Sequence, residues 1–225
     1  MLPDARTALI LGATGIVGRH CLETLLADPS YGRVISIGRR KTGTSHPKLR
    51  EIETPLDQLE KIPAAKIGII DAAFCCLGTT QAKAGAQDVF RRVEVEYPRQ
   101  AARLAKSCGA GQFLIVTAIG ADARSPIFYN KVKGEVEAAV IAEGVASISI
   151  FRPSLLLGHR DEFRWKEKLG EPFMRLLALV MVGPARRLRP IEAETVARAM
   201  VRVAAKPRPG ATIYTSDKID EIGRP

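Results

Sequence analysis

A tyrosine and a lysine at helical spacing, Tyr129 and Lys133, have the clearest chemical potential in this chain of 225 residues. On a helix, positions i and i+4 lie one above the other on the same face. A phenol is a poor acid at neutral pH, and an adjacent ammonium stabilises its anion, so such a pair could give a proton to a substrate. Thr117 ends an apolar run before this pair and could hydrogen-bond a substrate carbonyl. We therefore predict hydride chemistry on a carbonyl, with Tyr129, Lys133 and Thr117 as catalytic residues.

The same spacing occurs a second time, in Tyr214 and Lys218. That second pair falls in a predicted strand and turn, where the two side chains would not share a helical face. The sequence context therefore favours Tyr129 and Lys133. An exposed tyrosine and lysine on a surface helix remains the alternative interpretation of the first pair.

Three glycines spaced by three follow an apolar run near the N-terminus. In a strand–turn–helix unit, one such glycine makes the turn, one lets the backbone approach a pyrophosphate, and one lets helix and strand pack closely. The N-terminus of the helix offers free N–H groups to an anion. The spacing is GxxGxxG and not GxGxxG, and an ordinary glycine-rich turn is the alternative. The predicted nucleotide loop comprises Gly12, Ala13, Thr14, Gly15, Ile16, Val17 and Gly18.

Two arginines follow the predicted second strand. Enzymes that use NAD place Asp or Glu about 20 residues after the glycines to bind the ribose hydroxyls. No acid occurs between Asp28 and Glu51, and Arg39 and Arg40 occupy this region instead. Because a guanidinium binds a phosphate bidentately, we predict NADP(H) in preference to NAD(H). A solvated basic loop is the alternative.

The predicted fourth strand ends at Leu77, and Gly78, Thr79 and Thr80 follow it. Ligands of doubly wound sheets bind outside the carboxyl ends of the strands, and we predict that these residues contact the cofactor. A turn in which a threonine caps the next helix is the alternative.

Apolar periodicity alternates between strand and helix along the chain. Strands are predicted at 7–12, 33–37, 49–53, 68–77, 112–118, 147–152 and 211–215, and helices near 16–27, 56–61, 87–107, 129–143, 161–182 and 192–205. Such alternation is typical of a parallel sheet covered by helices on both faces. We predict one domain, residues 1–225, with a doubly wound α/β fold in three α/β/α layers, that is, a Rossmann fold.

Composition limits the classes of partner. The formal net charge is +10 and the pI about 9.7, which favours anionic partners, but aromatic residues make up only 5% of the chain. Because single-stranded nucleic acids are bound by stacking on aromatic rings, we do not expect nucleic-acid binding. The four cysteines show no metal or disulfide spacing, and no signal segment precedes the first strand. We therefore expect reduced thiols in a cytoplasmic protein.

Several stretches taken together resemble one known family. They are residues 12–18, 37–41, 74–80, 120–122, 129–137 and 151–153. The sequence resembles an atypical short-chain dehydrogenase/reductase, in particular the group of Tat-interacting-protein-like oxidoreductases. The resemblance implies a Rossmann fold, a preference for NADPH and a tyrosine-based active site. From its own chemistry, Lys133 could also hold the cofactor ribose. The resemblance further implies that the segment after Arg152-Pro153-Ser154 passes the nicotinamide, so that Pro153 contacts the cofactor.

The sequence departs from this family at two positions. Where the family usually has a serine, the candidates are Thr117 and Ala118, and only Thr117 keeps the hydroxyl. Many relatives carry an asparagine that completes a proton relay on the helix after the fourth strand. Glu94 lies near that position here, where it could orient a water molecule or pair with Lys133.

The segment at about 159–190 is the predicted substrate or lid region. Its apolar run, 173–182, precedes the basic residues Arg186, Arg187 and Arg189. The run could line a substrate pocket, form a homodimer contact, or bring residues 172–189 to a membrane surface. We favour a lid or core helix, since the run has no clear polar face.

The residues lead to three functional hypotheses. The first is an NADPH-dependent oxidoreductase that reduces a small carbonyl compound, with Tyr129 as proton donor. The second is a regulatory or scaffold protein that binds NADPH without catalysis. The third is a peripheral-membrane protein that acts on a lipid-like substrate through 172–182.

Overall fold

The computed structural model describes residues 5–157 and 187–224. Its central element is a seven-stranded parallel sheet of order β3-β2-β1-β4-β5-β6-β9, and a small parallel pair joins β7 to β8. The strands are β1 Arg6–Leu11, β2 Tyr31–Gly38, β3 Leu49–Glu53, β4 Ala72–Cys75, β5 Gln112–Val116, β6 Ser147–Arg152, β7 Leu156–Leu157, β8 Ile191–Glu192 and β9 Gly210–Thr215. This order confirms the predicted Rossmann fold.

Helices cover both faces of the sheet. They are α1 Ile16–Ala27, α2 Ala64–Ile67, α3 Gln81–Ala84, α4 Gln87–Arg91, α5 Tyr97–Ser107, α6 Phe128–Ala142, α7 Ala193–Ala204 and α8 Ser216–Gly223. A 3₁₀ helix spans Leu56–Lys61, and a π-helical turn, Arg92–Glu96, joins α4 to α5.

Alternate residues of β1 enter opposite halves of the core. Ala8 and Ile10 pack with buried residues of α1, α7 and α8, whereas Leu9 and Leu11 pack with buried residues of α5 and α6. Successive side chains of a strand point to opposite faces of the sheet, so a continuous apolar run fits a strand that is buried on both sides. The three-layer prediction is therefore confirmed.

The predicted strand at 68–77 is shorter in the structure, and β4 begins only at Ala72. Gly68 has a φ of +87° that no strand residue adopts, and the side chain of Ile69 is 79% exposed. The apolar character of 68–71 therefore does not extend the strand.

Three helices of the described residues were absent from the sequence prediction: the short α2 and α3, and the longer α8. Residues 216–218, predicted as a turn, begin α8. The helix buries Ile219 and receives two hydrogen bonds from α7: Arg198 Nε donates to the Gly223 carbonyl and Arg202 Nη1 to the Ile222 carbonyl, both at 2.7 Å. These contacts satisfy carbonyls at its C-terminal end, and they depend on tertiary packing that local periodicity does not report.

Several predictions concern residues that the structure does not describe. The helix at 161–182 lies outside the described residues, as do most of the lid region at 159–190 and of the membrane contact at 172–189. Within the described ranges, no helix has the length and apolar character needed to cross a bilayer.

Candidate functional site

The carboxyl ends of the central strands surround a cleft of about 450 Å³. Predicted site residues that line it are Thr14, Gly15, Ile16, Val17, Arg40, Leu77, Gly78, Thr79, Thr117, Tyr129 and Lys133. Thr80, which the sequence placed beside Thr79, lines the cleft as well, and the role of Glu94, also in the lining, was left open by the sequence. The sequence did not indicate the remaining lining residues, which are Arg19, Cys76, Gln81, Lys83, Val116 and Leu156. The structure thus brings the predicted nucleotide loop and the predicted Tyr–Lys pair to one cleft.

Two of the three glycines have structural rather than ligand-facing positions. Gly12 has a φ of +81°, and a Cβ there would lie 2.5 Å from the Cys76 carbonyl oxygen. A Cβ on Gly18 would lie 2.0 Å from the Gly12 carbonyl oxygen. Gly12 therefore lets β1 turn beside the end of β4, and Gly18 lets α1 pack against that turn.

Gly15 faces the cleft at the N-terminus of α1. It is the N-cap of that helix, no side chain caps the helix, and the first turn contains no acidic residue. The first N–H groups of a helix have no intrahelical partner, and they carry partial positive charge. This end of α1 therefore fits a pyrophosphate or another anion.

The basic groups beside this loop are unequally placed. Arg39 and Arg40 are both exposed, and neither forms a hydrogen bond or ion pair with the residues that the structure describes. Arg40 lines the cleft and Arg39 does not, whereas Arg19, on the first turn of α1, lines it as well. Arg19 directly follows the last glycine of the motif, which is the only indication of it in the sequence.

Lys133 is held by a buried ion pair. Its Nζ donates to Glu94 Oε2 at 2.6 Å, and only 6% of Lys133 and 2% of Glu94 is exposed. Lys133 Nζ also lies 5.7 Å from the ring centroid of Tyr129, which packs against Phe90. Tyr129 and Lys133 therefore lie on the same face of α6, as predicted. Of the two roles left open for Glu94, the structure shows the pairing with Lys133.

The charge of Lys133 is preserved by its neighbours. Burial alone would lower the pKa of Lys133, but the Glu94 carboxylate and, secondarily, the Tyr129 hydroxyl favour the charged form, and the pKa of Lys133 is raised. Lys133 is therefore an ammonium at neutral pH.

The Thr117 hydroxyl is engaged within the protein. Its Oγ1 donates to Glu137 Oε1 at 2.7 Å, and Arg152 donates to both oxygens of Glu137, from Nε at 2.9 Å and from Nη2 at 2.5 Å. Glu137 is buried, and its hydrogen bond raises the pKa of Arg152. Thr117 thus lines the cleft with its proton shared with a carboxylate. Glu137, one helical turn after Lys133, was not found from the sequence.

We expect removal of Arg152 to destabilise the protein. Arg152→Ala leaves the buried Glu137 carboxylate without its cation and should lower the free energy of unfolding in urea by about 2 kcal/mol, less than for a fully buried pair because Arg152 is partly exposed. The control is Arg91→Ala, which breaks an exposed pair with Glu135 and should cost about 0–1 kcal/mol. Equal losses in the two variants would contradict a stabilising role for the Glu137 network.

Pro153 is buried beyond the end of β6, and its carbonyl accepts a hydrogen bond from the Ile119 N–H at 2.9 Å. Pro153, Gly12, Ala13, Gly18 and Arg39 do not line the cleft in the structure. Contact of these residues with a cofactor stays a prediction.

The thiols near the cleft are not activated. Burial raises the pKa of Cys75 to about 12. A hydrogen bond with Cys21, together with burial, raises the pKa of Cys76, which lines the cleft. A thiolate nucleophile needs the opposite shift, so the cysteines do not supply the chemistry of this cleft.

Comparison with known proteins identifies related sequences. A family model described as the NAD dependent epimerase/dehydratase family matches residues 8–215. Protein HTATIP2 of Rattus norvegicus is 38% identical over 170 residues, which cover 75% of this chain and 70% of the rat protein. Protein FMP52-1, mitochondrial, of Scheffersomyces stipitis is 34% identical over 158 residues, which cover 69% of each chain.

Solved structures share the fold at low sequence identity. The human epimerase family protein SDR39U1 with NADPH has a TM-score of 0.62 and 17% identity, covering 93% of this chain and 74% of its own. MoeE5 in complex with UDP-glucose and NAD has a TM-score of 0.65 and 16% identity, covering 96% of this chain and 80% of its own.

The comparison contradicts the expected cytoplasmic location. The FMP52 relatives from Scheffersomyces stipitis, Lodderomyces elongisporus and Candida albicans are all named mitochondrial. The cytoplasmic prediction is therefore wrong. It relied on cysteine usage and on the absence of an apolar signal segment, and neither observation distinguishes the cytoplasm from mitochondria.

Proposed function

The chain belongs to the NAD dependent epimerase/dehydratase family, a nicotinamide-binding family of oxidoreductase type, and on that premise we propose that it is an NADPH-dependent oxidoreductase that reduces a carbonyl compound. One observation carries the proposal. The buried, charged Lys133 and the Tyr129 ring lie in the same cleft as the uncapped N-terminus of α1.

The residues of the cleft fit a dinucleotide. Gly15 presents no side chain to a pyrophosphate at the free N–H groups of α1, and Arg40 lines the same cleft with a guanidinium that no described residue engages. When bound, NADPH supplies the hydride. A 2′-phosphate would find Arg40 within this cleft, which favours NADPH over NADH.

Tyr129 is the proposed proton donor. Its hydroxyl would give a proton to the carbonyl oxygen as negative charge develops there, and the Lys133 ammonium would stabilise the phenolate that remains. Thr117 is proposed to orient the same oxygen. To do so, its hydroxyl must turn from Glu137 towards the cleft, since its proton is shared with that carboxylate.

A second candidate is a regulatory or scaffold protein that binds NADPH without turnover. The observation that favours it is the engagement of two predicted catalytic groups within the protein, Thr117 by Glu137 and Lys133 by Glu94. In this alternative the cleft would bind the nucleotide and the polar groups would serve only to hold the fold.

A screen of aldehydes and ketones, with NADPH oxidation followed by its absorbance, separates the two candidates. We expect oxidation that depends on both the protein and a carbonyl compound. Tight NADPH binding with no oxidation across aliphatic, aromatic and sugar-derived carbonyls would favour the regulatory alternative. Absence of NADPH binding would contradict both.

A further inference from the structure

Glu94 is a buried carboxylate that has no role in the proposed reaction steps. Both of its oxygens are occupied: Oε2 accepts from Lys133 Nζ, and Oε1 accepts from the backbone N–H of Thr79, each at 2.6 Å. One side chain therefore connects the lysine on α6 to the loop that follows β4, and both partners line the cleft.

The backbone places this carboxylate by a rare device. Glu94 is the central residue of the π-helical turn Arg92–Glu96, which interrupts an otherwise α-helical run between α4 and α5. Such turns occur as short insertions in α-helices, frequently at functional sites. Within this turn Glu94 is buried, whereas Glu96 is partly exposed and pairs with Arg99. Two glutamates in one turn thus have different environments.

We propose that Glu94 is a positioning residue that keeps Lys133 charged and directed at Tyr129. Its other carboxylate oxygen holds the Gly78–Thr80 loop in place. The inference rests on the proposed function only for the catalytic roles of Lys133, which are to support Tyr129 and to hold the cofactor. The holding of Lys133 by Glu94 can be tested without turnover.

The charges around Lys133 support this role. Among the described residues, the titratable groups that face it from packed elements are Glu94 on the π-helical turn, Tyr129 on α6 and Cys75 at the end of β4. Cys75 is neutral at physiological pH because burial raises its pKa to about 12. Glu94 is therefore the anion that offsets the burial of Lys133. A buried lysine without such a partner loses its proton near neutral pH.

The direct test follows the ¹⁵Nζ chemical shift of Lys133 through its Hε protons from roughly pH 6 to pH 10, a range that brackets an unsupported buried lysine. Comparison with Lys133→Arg assigns the signal. In the wild-type protein we expect Lys133 to stay charged across this range. In Glu94→Gln its titration should move by about two pH units or more towards acid.

Matched variants make the test specific. Glu96→Gln removes a glutamate from the same π-helical turn and should leave the Lys133 titration as in the wild type. Glu94→Asp keeps the negative charge, so its Lys133 titration should recover at least half of the pH difference between Glu94→Gln and the wild type. A Glu94→Gln curve that matches the wild type would overturn the proposal. If Glu94→Gln does not fold, the wild-type curve decides, since a neutral Lys133 at pH 7 would also overturn it.

Turnover provides a second readout once a carbonyl substrate is known. Glu94→Gln should lower kcat by about 10- to 100-fold, as for the loss of support to a general acid, with a greater loss at higher pH as Lys133 deprotonates. A loss that is independent of pH would indicate a purely structural role and would contradict the proposal. Failure to find any substrate would count against the proposed function. The NMR titration would then decide the role of Glu94 by itself.

Discussion

Tyr129→Phe is expected to reduce NADPH-dependent turnover by about 10²- to 10⁴-fold, the usual contribution of a positioned general acid. The change removes one oxygen atom and keeps the ring, so the contact with Phe90 should persist. The dissociation constant for NADPH should change by less than about threefold, or about 0.6 kcal/mol. Steady-state kinetics and calorimetric titration of the same preparation measure the two effects.

The control is the tyrosine of the second Tyr–Lys pair. Tyr214 lies in β9, and its ring is stacked on Phe151 at a centroid distance of 5.0 Å. Tyr214→Phe keeps this stack and should leave both turnover and NADPH affinity at wild-type levels. Full activity in Tyr129→Phe, or an equal loss in the two variants, would show that Tyr129 is not the proton donor.

Gly12→Ala is expected to lower the free energy of unfolding by about 4 kcal/mol and to abolish NADPH binding. A left-handed conformation costs about 1–2 kcal/mol for a residue with a Cβ, and overpacking against backbone adds about 1–3 kcal/mol. Both costs apply at Gly12, where the new Cβ would meet the Cys76 carbonyl. Relief of that contact would move the nucleotide loop away from the end of β4. Urea denaturation and calorimetry measure the two losses.

Two other glycines separate these costs. Gly43 has a φ of +78°, and a Cβ added there would meet no atom within 4 Å, so Gly43→Ala should cost only about 1–2 kcal/mol. Gly18 lies in α1 without a left-handed φ, and a Cβ added there would lie 2.0 Å from the Gly12 carbonyl oxygen, so Gly18→Ala measures overpacking alone. A loss in Gly12→Ala no larger than that in Gly43→Ala would contradict the close approach of β1 and β4 at the loop.

The fold was predictable because its determinants are local and periodic. The apolar side chains of β1 pack on both faces of the sheet. The spacing of the glycines lets α1 pack closely against the turn that follows β1. Each predicted strand has a counterpart in the structure, although the fourth is shorter and the fifth ends at Val116, two residues early. Helix α8 was missed because its stability derives from the Arg198 and Arg202 side chains of α7, which lie outside any local window.

The candidate site was predictable as a set of residue types but not as a network. The spacing of Tyr129 and Lys133 indicated their common face, and the strand ends indicated the cleft. The partner of Thr117 could not be predicted, because Glu137 lies 20 residues away on another element. Glu94 and Lys133 are 39 residues apart, so for the same reason the sequence left two roles open for Glu94, pairing with Lys133 or orienting a water molecule. Such contacts depend on how α6 and the π-helical turn pack, and periodicity does not report that.

Nicotinamide-nucleotide binding by the cleft is the central claim, and calorimetric titration of the purified protein with NADPH and with NADH tests it most directly. We expect NADPH to bind at least tenfold more tightly, a difference of about 1.4 kcal/mol, because Arg40 lines the cleft with a guanidinium that no described residue engages. Equal affinities would contradict the role of Arg40 and leave nucleotide binding intact. Absence of binding by either nucleotide would contradict the proposed function as a whole.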